Sequence, residues 1–136
     1  MNIDPTRAQF DAFKALPRDR PVNMLNLVKL RDKAQYLDGR AATGAEAYAA
    51  YGRESGPVLA KVGGEIIWRG APEAMLIGPE AESWHIAFIA RYPTAGAFLA
   101  MVTDPAYREA VIHRQAAVED SRLIRMGELA GGGDFG

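Results

Sequence analysis

Apolar and polar positions alternate through the chain in two different periods, and the switches between them outline the elements. Pro21–Leu30, PVNMLNLVKL, reads as a strand with Val22, Met24, Asn26, Val28 and Leu30 on one face. Leu25 and Leu27 occupy its other face, so both faces are largely apolar and both call for cover. Ser83–Tyr92, SWHIAFIARY, repeats this two-sided pattern. Glu65–Arg69 reads as a further strand, with Ala74–Ile77 returning as a short partner after the Gly70–Glu73 turn.

Between the strands the spacing changes to threes and fours. Ala45–Val62 places Tyr48, Tyr51, Ser55, Val58, Leu59 and Val62 on one stripe. Pro57 predicts a kink or a split, and Gly63-Gly64 a stop. A short helix follows Pro93-Thr94 through Val102. Asp104 is a good N-cap, with Pro105 at the first helical position. The helix it opens carries Ala106, Tyr107, Ala110, Val111, Ala117 and Val118 inward and leads to a last strand, Ser121–Met126. His113 and Arg114 stand in that stripe where apolar residues belong. An N-terminal helix starting at Asp4-Pro5 buries Phe10, Phe13 and Leu16 and ends at Pro17 and Arg18-Asp19-Arg20.

The pattern predicts an α+β chain in the order β-α-β-(β)-β-α-β: a split βαβ, ferredoxin-like antiparallel sheet with helices on one face. Residues 1–20 form a helical extension, 21–126 the domain and 127–136 a flexible glycine-rich tail. Helices on one face leave the other bare and apolar, so a homodimer through the sheet face is expected.

Composition narrows the chemistry. The chain has 136 residues, enough for one domain with its own core. It has no cysteine, which removes disulfides, thiol nucleophiles and thiolate metal sites. Sixteen Lys and Arg oppose seventeen Asp and Glu, leaving no basic footprint for nucleic acid. No apolar run is long enough to span a bilayer or build a signal peptide, so the cytoplasm is the expected compartment. Nucleophile-elbow, P-loop and dinucleotide glycine patterns are absent, and Gly131-Gly132-Gly133 opens no helix.

Four groups of residues are candidates for chemistry. His113 as acid or base beside Arg114 as anion clamp suits a carboxylate or enolate; otherwise His113 makes a buried hydrogen bond and Arg114 pairs with Glu119 or Asp120. Asn26, the one polar residue on its strand face, either orients a bound carbonyl or satisfies a local backbone group. Trp68 and Trp84 either wall an aromatic substrate pocket beneath Tyr48 and Tyr51 or pack a core or dimer. His85 reads as a surface or interface residue. Metal-ligand spacings are missing, so no metal and no cofactor is expected; haem stays open, since one histidine can ligate it.

MLNLVKL, AYAAYG, GGEIIWRG and DPAYREAVIHRQAAVEDSRLI together resemble the domain-of-unknown-function 1330 family of the dimeric α/β-barrel superfamily. The resemblance spans Pro21 to Met126, with MLNL and HRQAAVEDSRL its most specific parts. It implies a ferredoxin-like protomer and a homodimer, and no settled activity. Relatives by fold include cofactor-free monooxygenases, haem-degrading enzymes and lactone isomerases. The functional expectation is a small-molecule-binding protein or cofactor-free enzyme of oxygenase or isomerase type, with a cleft between sheet and helices. The alternative is a non-catalytic homodimer whose apolar faces serve assembly alone.

Overall fold

The alternation along Val22–Leu30 (β1) places this strand at the centre of a four-stranded sheet, seen in a computed structural model that describes residues 1–136. β1 follows a first helix, Arg7–Ala15 (α1), and leads through a loop to Gly44–Lys61 (α2). Glu65–Gly70 (β2), Ile86–Tyr92 (β3), Ala95–Thr103 (α3), Pro105–Ala117 (α4) and Val118–Met126 (β4) complete the chain. The sheet order is β2-β3-β1-β4 with every neighbouring pair antiparallel, the split βαβ arrangement expected from the pattern.

The register turns alternation into two sharply different rows. Val22, Met24 and Val28 are buried, and Val22, Met24, Ala90 and Tyr92 pack with Val58, Ala95 and Met101 as the core. On this inward face, Arg69, Phe88, Asn26 and Leu123 lie side by side across all four strands. One residue away, on the outward face, Trp68, Ile89, Leu25 and Ile124 form a continuous apolar row. Trp68 is 54% exposed and Ile124 47% exposed, so no part of this chain covers that row.

Helix starts are set by side chains that satisfy free N–H groups. Thr6 and Gln9, and again Thr43 and Glu46, form reciprocal capping boxes. The first replaces the expected Asp4-Pro5 start, because Asp4 is engaged by the Gln115 side-chain amide instead. α2 runs through Pro57 without splitting. Its Gly52–Glu54 and Gly56-Pro57 stretches are exposed, so water can take the Arg53 carbonyl that proline leaves free. Gly63, at φ +79°, ends the helix in the left-handed conformation that glycine adopts without strain.

Two strand expectations fail. Ala74–Ile77 forms no strand; residues 71–85 are a loop in which Leu76 and Ile77 are almost fully exposed. Pro72 and Pro79 remove ladder donors on either side of so short a segment, and Gly78 at φ +148° turns the chain away. β3 consequently starts at Ile86 rather than Ser83, with His85 in the loop. β4 starts earlier than Ser121, at Val118, directly from α4.

The first turn of α2 abuts the end of β1: a Cβ on Gly44 would lie 1.9 Å from the Arg31 carbonyl oxygen, whereas one on Gly52 meets nothing within 4 Å. Gly44→Ala is therefore expected to destabilise the fold by about 1–3 kcal/mol. Gly52→Ala should stabilise it by about 0.5–1 kcal/mol through helix propensity and unfolded-state entropy. Urea unfolding of the two variants checks the opposite signs.

Candidate functional site

Successive residues on an α-helix point about 100° apart. That geometry separates His113 from Arg114, which sequence adjacency had joined. His113 turns toward α2 and the 31–43 loop. Its Nδ1 lies 2.6 Å from the Tyr36 hydroxyl and its Nε2 2.6 Å from Glu54 Oε2. Arg114 turns toward the N-terminus, donating to the Ile3 carbonyl at 2.5 Å and to Ser121 Oγ at 3.1 Å. Neither Glu119 nor Asp120 pairs with it: Glu119 binds Lys29 and Asp120 binds Arg122.

The layer between sheet and helices carries different polar residues. The inward row carries Arg69 and Asn26 on the helix-facing side of the sheet. Asn26 Nδ2 donates to the Met24 carbonyl at 3.0 Å, a local backbone partner. From the helices, Tyr51 and Tyr107 join hydroxyls at 2.9 Å, and the Tyr48 ring lies 5.5 Å from that of Tyr51. Burial raises the Tyr48 pKa above the ordinary phenol value, and the nearby charge of Tyr51 raises it further; Arg114 and Arg69 pull it back. Of the five tyrosines, Tyr36, Tyr51, Tyr92 and Tyr107 have bonded hydroxyls, and the Tyr48 hydroxyl has no protein partner. A depression of about 250 Å³ opens beside Arg69, lined also by Gly70, Ala71, His85 and Ile86. A larger one, about 360 Å³, lies at the other end of β1 between Pro17–Val22 and Arg125–Glu128, away from every candidate residue.

The expected aromatic pocket of Trp68, Trp84, Tyr48 and Tyr51 does not form. A bulge between Ile66 and Trp68 shifts the β2–β3 register, so Trp68 pairs with Ile89 on the outward face while Arg69 takes the inward place beside Phe88. Trp68 folds back over Gly70, where a Cβ would meet its ring at 2.7 Å. Trp84 sits in the 71–85 loop under the Arg122 guanidinium, 5.0 Å from its ring centroid. Tyr48 and Tyr51 stay on the helix side. His85 Nδ1 accepts the Leu30 N–H at 2.9 Å, a loop-to-strand tie.

Sequence reasoning missed Tyr36, Glu54 and Arg69. Glu54 had a signal: it falls between Tyr51 and Val58 on the α2 stripe, a carboxylate where apolar spacing points at a neighbour. Tyr36 lies in a polar loop without periodicity, and Arg69 was hidden by the bulge.

These features define a ferredoxin-like α+β protomer. Residues 37–127 match a domain of unknown function, DUF1330, and the chain belongs to that family. The match takes in HRQAAVEDSRL but begins after MLNLVKL. A protein of unknown function from Rhodopseudomonas palustris is 58% identical over 96% of this chain and 98% of its own, with a TM-score of 0.92. Two more distant structures share the fold alone. A dimeric ferredoxin-like protein from Bacteroides fragilis is 18% identical over 78% of this chain and 94% of its own, at TM-score 0.50. SnoaB, a cofactor-independent oxygenase from Streptomyces nogalater, is 13% identical over 85% and 99%, at 0.55. No protein of curated function matches the chain. No helix is long and apolar enough to cross a membrane.

Arg114 depends on an N-terminal strap that Asp120 fastens. Asp120 Oδ1 accepts from the Asn2 backbone N–H at 3.0 Å and from Arg122 at 2.9 Å, while Ser121 Oγ donates to the Asn2 carbonyl at 2.7 Å. Burial raises the Asp120 pKa, yet the donors of Asn2, Arg122 and Ser121 outweigh it and hold the carboxyl below the usual range. A lowered folded-state pKa means stabilisation that is complete above the unfolded value, about 4, and lost as pH falls through the folded one. Both Asp120→Ala at neutral pH and acidification below about 4 should therefore mobilise Asn2 and Ile3. Backbone 15N relaxation reads this, and a strap equally rigid in Asp120→Ala would refute the fastening.

Proposed function

We propose that this chain forms a homodimer through its outward sheet face and binds a small anionic or enolisable molecule in the cleft between sheet and helices, as a cofactor-free enzyme of oxygenase or isomerase type. The observation that carries the binding site is the Tyr48 hydroxyl. Tyr48 is half-buried, and a tyrosine so placed normally turns its hydroxyl to a hydrogen-bond partner. This one has no protein partner, and the charges of Arg114 and Arg69 offset part of the rise that burial gives its pKa. A ligand oxygen bearing negative charge accepts from the Tyr48 hydroxyl and pairs with Arg69, while Arg114, its donors held by Ile3 and Ser121, adds only charge.

In this reading Tyr48 and Arg69 meet the ligand directly, with the Tyr51–Tyr107 pair supplying the aromatic wall. Arg114 contributes charge while the strap holds its donors, and Asn26 lies on the sheet floor. Trp68 and Trp84 leave the substrate pocket; Trp68 belongs to the dimer face. The cofactor-independent oxygenase SnoaB, a relative by fold, supports this class of chemistry as an analogy. The alternative, a non-catalytic homodimer, draws support from Arg114 itself, whose bonds to Ile3 and Ser121 are purely internal.

Tyr48→Phe separates the two. The hydroxyl bonds nothing in the protein, so its removal should leave unfolding free energy within about 0.5 kcal/mol of wild type. With benzoate and salicylate as probes, calorimetry should show binding that Tyr48→Phe weakens about 10–100-fold, the loss of one hydrogen bond to a charged group. Arg69→Met should weaken it comparably. Absence of probe binding, or equal binding by wild type and both variants, would sink the cleft as a site.

A further inference from the structure

Tyr36, His113 and Glu54 share no residue with the cleft, and their order is that of a proton relay. Glu54 Oε2 faces His113 Nε2 at 2.6 Å, so in the neutral ring Nε2 carries the hydrogen and donates it. Nδ1 is then the acceptor, and the Tyr36 hydroxyl donates to it at 2.6 Å. A hydroxyl, an imidazole and a carboxylate in this sequence is the arrangement by which an oxygen is activated: the imidazole receives its proton and the carboxylate balances the resulting charge. Here the hydroxyl belongs to a phenol.

Four further observations support a chemical role over a simple tie. The backbone already ties the loop to α4, through Arg31 N–H to the Ala117 carbonyl at 2.8 Å and Gln35 N–H to the Ala116 carbonyl at 2.9 Å. The loop is itself braced, by the Lys33–Thr43 bridge and by Ala34 N–H to the Ala42 carbonyl at 2.9 Å, which holds Tyr36 in position. The Arg40 guanidinium stacks 4.5 Å from the Tyr36 ring centroid, fixed there by its ion pair with Asp38. A cation over the ring face is attracted to its π electrons and helps fix the ring's orientation. The His113 side chain is only 15% exposed, whereas Glu54 is 48% exposed. The base is therefore sheltered, and its partners reach the surface.

We propose that these three residues form a proton-transfer site whose reacting atom is Tyr36 Oη, acting on a small molecule with an acidic O–H or C–H: a phenol, an enol or a 1,3-dicarbonyl. The substrate's proton moves to Tyr36 Oη as the phenol's own proton moves to His113 Nδ1. The bonding pair stays on the substrate as phenolate or enolate, and Glu54 balances the imidazolium. Reversal at a second carbon completes an isomerisation with no oxidant or reductant.

The same relay must make Tyr36 Oη unusually reactive toward an acyl donor, which gives a test that does not need the substrate. With p-nitrophenyl acetate, the Oη–acetyl bond forms, nitrophenolate leaves, and the phenol proton passes to His113. Peptide mass spectrometry of the full chain should find Tyr36 acetylated about tenfold or more faster in the native protein than in urea. Glu54→Gln and His113→Phe should return it to the unfolded rate, and Tyr36→Phe should remove the label from that peptide. Glu54 is half exposed, so Glu54→Gln leaves the fold intact, and thermal unfolding checks this. Native labelling at or below the unfolded rate, as a merely structural tie gives, would overturn the proposal. So would fast labelling that Glu54→Gln leaves unchanged.

Discussion

A sheet has two faces, and this chain carries helices for one of them. Strand alternation sends Trp68, Ile89, Leu25 and Ile124 outward and Arg69, Phe88, Asn26 and Leu123 inward, one residue apart along each strand. A slip of one residue would exchange the rows, turning an arginine and an asparagine onto the bare face and presenting the apolar row to the helices. The inward row instead receives helices rich in hydroxyls, and the outward row receives nothing from its own chain. That division decides which side chains the helices cover and which the chain leaves bare.

The helices above the inward row are joined by polar ties as well as packing. Tyr51 meets Tyr107, Glu54 meets His113, and Lys61 meets Asp104 across the α2–α4 seam. Because α4 turns by about 100° per residue, one dipeptide serves two places: His113 joins the seam, and Arg114 reaches the strap and the neighbourhood of Tyr48. The family relationship brings the fold with it. It brings no chemistry, which has to be argued from these placements.

The fold was legible in the sequence because its signals are local and repeated. Two strands apolar on both faces, capped helix starts and Gly63-Gly64 carry the βαββαβ order and the bare sheet face without any distant contact. The site was less legible, and the reasons are particular. Adjacency suggested that His113 and Arg114 act together, although neighbours on a helix diverge. Trp68 reads from the sequence only as one of several aromatics that could wall a pocket with the tyrosines. A single bulged residue, Ile67, reversed the two positions that follow it, and bulges leave no mark in hydrophobic periodicity. Tyr36 is invisible for a different cause, since its role depends on a loop folding back onto α4.

The central claim is that the outward row is an interface between two copies of this chain. Isotope-filtered NMR on a mixture of 13C-labelled and unlabelled chains tests it at the residues concerned. The account predicts intermolecular contacts from the methyl groups of Ile89 and Ile124 to Leu25 and the Trp68 ring of the other copy. No intermolecular contact at any of them, with those methyl groups facing water in a single chain, would contradict it.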